Sequence, residues 1–130
     1  AGDLPLFAGG KSMGGRMTSL AAAQEPLADA RGLVFFGFPL HAPGKNSAER
    51  GKHLEDVEVP MLFLQGSRDA FADLKLLKPL CARLGKRAGL FIIDGGDHSL
   101  HMLKSSGRSD DEVLEEAART AAGWMSPSLR

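Results

Sequence analysis

The chain has one cysteine, Cys81, among 130 residues, so no internal disulfide can staple it and a reducing, cytoplasmic setting is expected. It lacks C-x-x-C and H-x-x-x-H spacings, the usual zinc signatures, and neither metal nor cofactor is expected. It also lacks an excess of charge of either sign. Sixteen basic side chains balance sixteen acidic ones, which leaves no electrostatic case for a nucleic-acid or membrane surface. The clusters from Lys45 to Lys52 and from Lys75 to Arg87 are broken by acids or apolar residues and read as solvated faces. No apolar stretch approaches the roughly 18 residues of a membrane span, no basic-then-apolar leader opens the chain, and a soluble protein is expected. An initiator methionine is missing too, and a strand-like segment begins almost at once. Further sequence upstream is therefore expected.

What is present is 43% hydrophobic residues in 130, enough for one compact domain over residues 1–130. Leu4 to Ala8 is short, apolar and followed by glycines, as suits a buried strand. Met13, Met17, Leu20, Ala21 and Gln24 then follow a helical spacing that Pro26 brings to a stop. Leu33 to Phe38 is an unbroken apolar run, as expected of a strand covered on both faces, and a polar stretch from His41 to Asp56 has room for a short helix. Val59 to Leu64 is the third strand. Leu77, Leu80, Cys81 and Leu84 trace one face of a helix that Gly85 terminates. Leu90 to Ile93 is the fourth strand. Ser109 and Glu112 form a capping box, ahead of a helix whose buried face is Val113, Leu114, Ala117, Ala118, Ala121 and Met125. Strands alternating with helices argue for an α/β domain with a parallel sheet of about four strands and helices on both faces.

Between the first strand and its helix stands Gly10-Lys11-Ser12-Met13-Gly14, a G-x-S-x-G pattern. A serine hydroxyl attacks poorly unless a base reaches it, so it must be lifted clear of the sheet on a sharp strand-to-helix turn. That turn crowds the residues two before and two after the serine, where Gly10 and Gly14 carry no Cβ. Gly10-Lys11-Ser12 also ends like a phosphate-binding loop, but the glycine such a loop requires five residues earlier is Pro5, with fixed φ and no N–H.

In a parallel sheet, reactive groups lie beyond the carboxyl ends of the strands. Ser12 follows the first strand, Asp69 the third and His98 the fourth, in the chain order serine, acid, histidine. His98 would accept the Ser12 proton and return it to the leaving group. Asp69 would orient and stabilise the imidazole. Met13 would offer its backbone N–H to the developing oxyanion. Each residue has a plainer reading: Ser12 and Asp69 as helix caps, His98 as a loop histidine. Asp73 is the substitute acid and His101 the substitute base. His41 follows the second strand and is the candidate substrate contact, against the plainer reading of a satisfied loop histidine. His53 reads as solvated, and Lys11 beside the nucleophile could favour an anionic group, with an exposed lysine as the default. Cys81 reads as a small core residue.

The segments Gly9 to Arg16, Gly37 to Lys45, Leu64 to Phe71 and Gly96 to Ser99 resemble, in order, the α/β-hydrolase superfamily. The likeness is nearest to a dienelactone-hydrolase-like group that includes a testis-expressed protein and a subunit of a histone-acetyltransferase complex. The resemblance implies a serine hydrolase that cleaves carboxylic esters or related acyl bonds through Ser12, His98 and Asp69. The segment from His41 to Asp56, too short for a large lid domain, favours small or exposed acyl substrates such as esters and lactones. It also implies that this chain is the C-terminal portion of a larger hydrolase, in which earlier strands and a second oxyanion donor lie upstream. Isolated, such a piece is expected to self-associate through its first strand. The alternative is a binding or scaffolding module that keeps the fold without turnover.

Overall fold

A computed structural model describes residues 6–126. Four strands, β1 (Leu6–Lys11), β2 (Ala30–Phe36), β3 (Met61–Gly66) and β4 (Ala88–Ile93), form one sheet in the order β1-β2-β3-β4, and every neighbouring pair is parallel. Helices α1 (Met13–Gln24), α2 (Leu74–Leu84) and α3 (Asp110–Met125) alternate with them, and a 3₁₀ helix (Glu49–Asp56) lies between β2 and β3. The expected parallel α/β architecture is the one observed.

Side-chain alternation along each strand sorts the core into two layers. Leu33, Phe35, Met61 and Phe63 pack with Ala22 of α1 and with Leu77, Leu80, Cys81 and Leu84 of α2. Val34, Leu62 and Leu64 face the other way, against Ala121 of α3. Ile93 packs on that side too, against Val113 and Ala117 of α3. All six residues of β3 are buried, as a strand with helices on both sides must be. Phe35, Phe38 and Phe63 meet with ring centroids 4.9 to 5.7 Å apart. Each such ring, fully buried, contributes roughly 1.5–3 kcal/mol.

Strand limits differ from the sequence expectation in an informative way. Of the segment Leu4 to Ala8, Leu4 and Pro5 lie outside the described residues, and the strand runs on through Gly9 and Gly10 to Lys11. β3 begins at Met61 rather than Val59 because Pro60 has no N–H for the ladder; its carbonyl accepts from Leu33 N at 2.9 Å instead. β3 then continues through Gln65 and Gly66, paired with Ile92 and Ile93.

The helices also divide into legible and misread faces. α2 buries Leu77, Leu80, Cys81 and Leu84 and ends at Gly85 with φ 66°, as the spacing requires. Burial pushes the Cys81 thiol up to about 11, which makes it a core residue and a poor nucleophile. α1 buries Gly15, Ser19 and Ala22, whereas Met13 and Met17 are exposed. Close approach is the reason: a Cβ on Gly10 would fall 2.7 Å from Gly15 N, and one on Gly15 would fall 2.8 Å from Gly10 O. Only small residues fit that contact, so the methionines face outward. The crowded pair is thus Gly10 with Gly15, while a Cβ on Gly14 would meet nothing within 4 Å. On α3, Leu114 and Ala118 are exposed, not buried.

Candidate active site

Ser12 joins β1 to α1 with φ 53° and ψ −125°, a conformation that costs a non-glycine residue about 1–3 kcal/mol. Two backbone bonds hold it there. Its N–H donates to Phe36 O at 2.8 Å, extending the β1–β2 ladder, and its carbonyl accepts from Arg16 N at 3.2 Å, starting the helix. The side chain makes no cap. Its hydroxyl instead lies 2.7 Å from His98 Nε2.

His98 follows β4 in a loop shaped by Asp97, whose Oδ1 accepts from both Ser99 N and His101 N at 2.9 Å. Arg68 ties this loop to the turn after β3, donating through Nε to Gly95 O at 2.7 Å and through Nη2 to His101 O at 3.2 Å. Gly37, at φ 72°, lies against the same loop; a Cβ there would sit 2.7 Å from His98 O. The Phe71 ring packs on the imidazole with centroids 4.3 Å apart.

Asp69 completes the line. Its carboxylate lies 2.8 Å from His98 Nδ1 through Oδ2 and 3.0 Å through Oδ1, and its side chain is fully buried. Oδ1 also accepts from Phe71 N at 2.8 Å and Oδ2 from Gln65 Nε2 at 2.9 Å. An ionised carboxylate only accepts, so Nδ1 of His98 carries the proton and Nε2 is left as the acceptor for the Ser12 hydroxyl. The three residues expected beyond three different strands are therefore joined by hydrogen bonds, with the imidazole in the tautomer a base requires. Asp69 caps no helix; the N-cap of α2 is Asp73, whose side chain accepts from Lys75 N.

The remaining candidates are engaged elsewhere. Besides its capping bond, Asp73 accepts from Asn46 Nδ2 at 2.8 Å. His101 Nδ1 pairs with Asp110 Oδ2 at 2.7 Å on the surface. The Met102 N–H and the His101 side chain together hold the Asp110 carboxyl below its usual range. His41 is buried, with Nδ1 donating to Ala42 O at 2.9 Å and Nε2 accepting from Asp73 N at 2.9 Å. With both nitrogens taken by the backbone, it braces the loop after β2 against the start of α2 and presents no free ring nitrogen to a substrate. His53 is half-buried rather than solvated, 2.7 Å from Ser19 Oγ; burial, with Arg16 nearby, lowers its pKa. Met13 opens α1, so its N–H has no acceptor within the helix. Among the described residues no group of His, Cys, Asp and Glu side chains is arranged to hold a metal ion, and no helix is long and apolar enough to cross a membrane.

Gln65 was not legible as a site residue. It is fully buried; besides its bond to Asp69, its Oε1 accepts from Phe38 N at 2.7 Å. The sequence places Gln65 just past the end of the third strand, where nothing in an amide side chain names a partner.

Three solved structures share this architecture. An α/β serine hydrolase homologue from Coxiella burnetii aligns at 19% identity with a TM-score of 0.61, over 87% of this chain and 47% of its own. An α/β serine hydrolase without a lid from Xanthomonas campestris aligns at 20% and 0.57, over 90% and 46%. Esterase 2 from Thermogutta terrifontis aligns at 17% and 0.64, over 93% and 55%. The chain thus spans about half the length of the structures it resembles. A family model described as the alpha/beta hydrolase domain matches residues 1–126. With the elbow serine, the parallel sheet and that match along nearly its whole length, the chain belongs to the alpha/beta hydrolase family.

Proposed function

We propose that this chain carries the nucleophile, base and acid of a serine hydrolase that cleaves carboxylic esters or related acyl bonds. One observation carries the reading: Ser12 Oγ, His98 Nε2, His98 Nδ1 and Asp69 form a continuous hydrogen-bonded line, with contacts of 2.7 and 2.8 Å. His98 Nε2 takes the hydroxyl proton as Oγ bonds to the acyl carbon, and Asp69 stabilises the imidazolium. The Met13 N–H donates to the oxyanion. Collapse breaks the bond to the leaving oxygen, which receives the proton from Nε2, and water releases the acyl group by the reverse sequence. A second oxyanion donor is proposed to come from upstream sequence.

Short acyl groups suit the site best. The connection between β2 and β3 holds a single 3₁₀ helix, too little to roof a deep cleft. The esterase from Thermogutta terrifontis is described in propionate-bound and butyrate-bound forms, which supports short chains for this chain by likeness. The dienelactone-hydrolase-like group remains our subfamily assignment, on the four ordered segments. A free, buried Cys81 fits a cytoplasmic location.

A scaffold without turnover would need none of these contacts. The discriminating assay is hydrolysis of p-nitrophenyl acetate and butyrate by the full natural polypeptide carrying this sequence. Ser12→Ala should lower kcat/KM by a factor on the order of 10³ or more; equal turnover by the two proteins contradicts the proposal.

A further inference from the structure

A cavity of about 160 Å³ beside His98 plays no part in the mechanism above; it is lined by Lys11, Phe36, His98, Ser99, Leu100 and Leu114. A liquid water occupies roughly 30 Å³, so the space holds a small ring or a short chain. Its walls are the apolar side chains of Phe36, Leu100 and Leu114, the polar residues His98 and Ser99, and one cation, Lys11. Leu114, on α3, is 58% exposed and contributes to this wall instead of to the core face expected of it. Leu100 is held at φ 65° with its N–H on Asp97 O at 3.0 Å, which fixes its place next to His98. Lys11 ends β1 one residue before Ser12 and pairs in register with Phe36. It is exposed and has no ion pair or hydrogen-bond partner among the described residues.

The direction of proton flow assigns this cavity to one half of a substrate. A leaving oxygen receives its proton from His98 Nε2, so the departing alcohol must lie on the His98 side of Ser12. His98 is itself part of this wall. We propose that the cavity receives the leaving-group half of the substrate and that Lys11 selects esters whose alcohol or phenol portion bears a carboxylate. The inference rests on the hydrolase reading. In the step concerned, the bond from acyl carbon to departing oxygen breaks and that oxygen takes the Nε2 proton. The acyl group stays on Ser12 Oγ, and the hydroxy acid leaves with its carboxylate near the Lys11 ammonium.

The test compares 4-acetoxybenzoate with phenyl acetate, which share an acyl group and an aromatic ring and differ by the carboxylate. Both are assayed with the full natural polypeptide and its Lys11→Met and Lys11→Arg variants, and the readout is the ratio of kcat/KM, charged over neutral. Intrinsic differences in ester reactivity cancel between proteins. Lys11→Met should lower the ratio roughly two- to fivefold, the range of exposed charge pairs, and Lys11→Arg should restore it. The wild-type advantage should also shrink as salt approaches 1 M, because screening shortens the reach of the charge. An identical ratio in wild type and Lys11→Met overturns the inference and leaves the hydrolase reading standing, as does a fall that neither arginine nor salt affects. If the wild type hydrolyses neither ester, the hydrolase reading fails and this inference falls with it.

Discussion

Gln65 holds Asp69: its side-chain amide donates to Asp69 Oδ2 at 2.9 Å while its carbonyl oxygen accepts from Phe38 N at 2.7 Å. The acid beside His98 is thereby fastened to the loop after β2. Gln65→Leu keeps the bulk but strands the Phe38 N–H and leaves Asp69 Oδ2 with His98 Nδ1 alone, so it should destabilise the chain by about 1–3 kcal/mol. As Gln65 positions Asp69 without touching substrate, kcat should fall more than KM changes. Urea midpoints and steady-state kinetics check both, and a variant as stable and as active as wild type contradicts the assignment.

The two glycines of the elbow motif should respond in opposite directions. Gly10→Ala pushes a methyl to within 2.7 Å of Gly15 N and 2.8 Å of Gly14 C, both backbone atoms that cannot swing aside, at a cost of about 1–3 kcal/mol or more. Gly14→Ala meets no neighbour and gains up to about 1 kcal/mol of helix propensity. Denaturant unfolding of both variants decides the matter. A harmless Gly10→Ala or a damaging Gly14→Ala would sink the account of the strand–helix contact.

How much was legible follows from where each signal resides. The stripe Leu77, Leu80, Cys81 and Leu84 is local, and α2 buries that stripe. The Ser109–Glu112 pair is local as well: Ser109 accepts from Glu112 N at 3.1 Å and caps α3, although its hydroxyl also donates to the Glu112 carboxylate at 3.2 Å. Met13 and Met17 carry an equally regular spacing, but the face of α1 is set by the Gly10–Gly15 approach, a tertiary fact. Ser12, Asp69 and His98 could be placed on one edge because strand ends in a parallel sheet share a side. Gln65 could not be assigned, since it lies in β3 while its partner Phe38 lies in the loop after β2, and nothing in either residue names the other.

Acid should weaken the protein through His53. Burial, and next Arg16, lower its folded pKa below the usual 6.5, with Asp56 opposing. The unfolded chain therefore binds this proton more readily. The contribution of His53 to stability is complete above about pH 6.5 and is lost as pH falls through the lowered folded value. Urea midpoints between pH 7.5 and 5 should drop for wild type and drop less for His53→Gln. Parallel pH profiles for the two proteins would refute the assignment.

Isolated, the chain should self-associate through β1. Among the described residues this strand pairs only with β2, Leu6 is half-exposed, and Met13 and Met17 lie open nearby. An unpaired edge beside apolar side chains recruits another strand. Sedimentation velocity should show concentration-dependent association that Leu6→Lys weakens. A monomer at every concentration rules this out.

The central claim is that Ser12 is the nucleophile, activated by His98 in the geometry described, with Nε2 2.7 Å from the hydroxyl oxygen. Its most direct test is intact-mass and peptide mass spectrometry of the full natural polypeptide after reaction with a fluorophosphonate. One adduct per chain is expected, located on Ser12, absent from Ser12→Ala and strongly slowed in His98→Ala. An adduct on another residue, or labelling of Ser12→Ala at the wild-type rate, would contradict it.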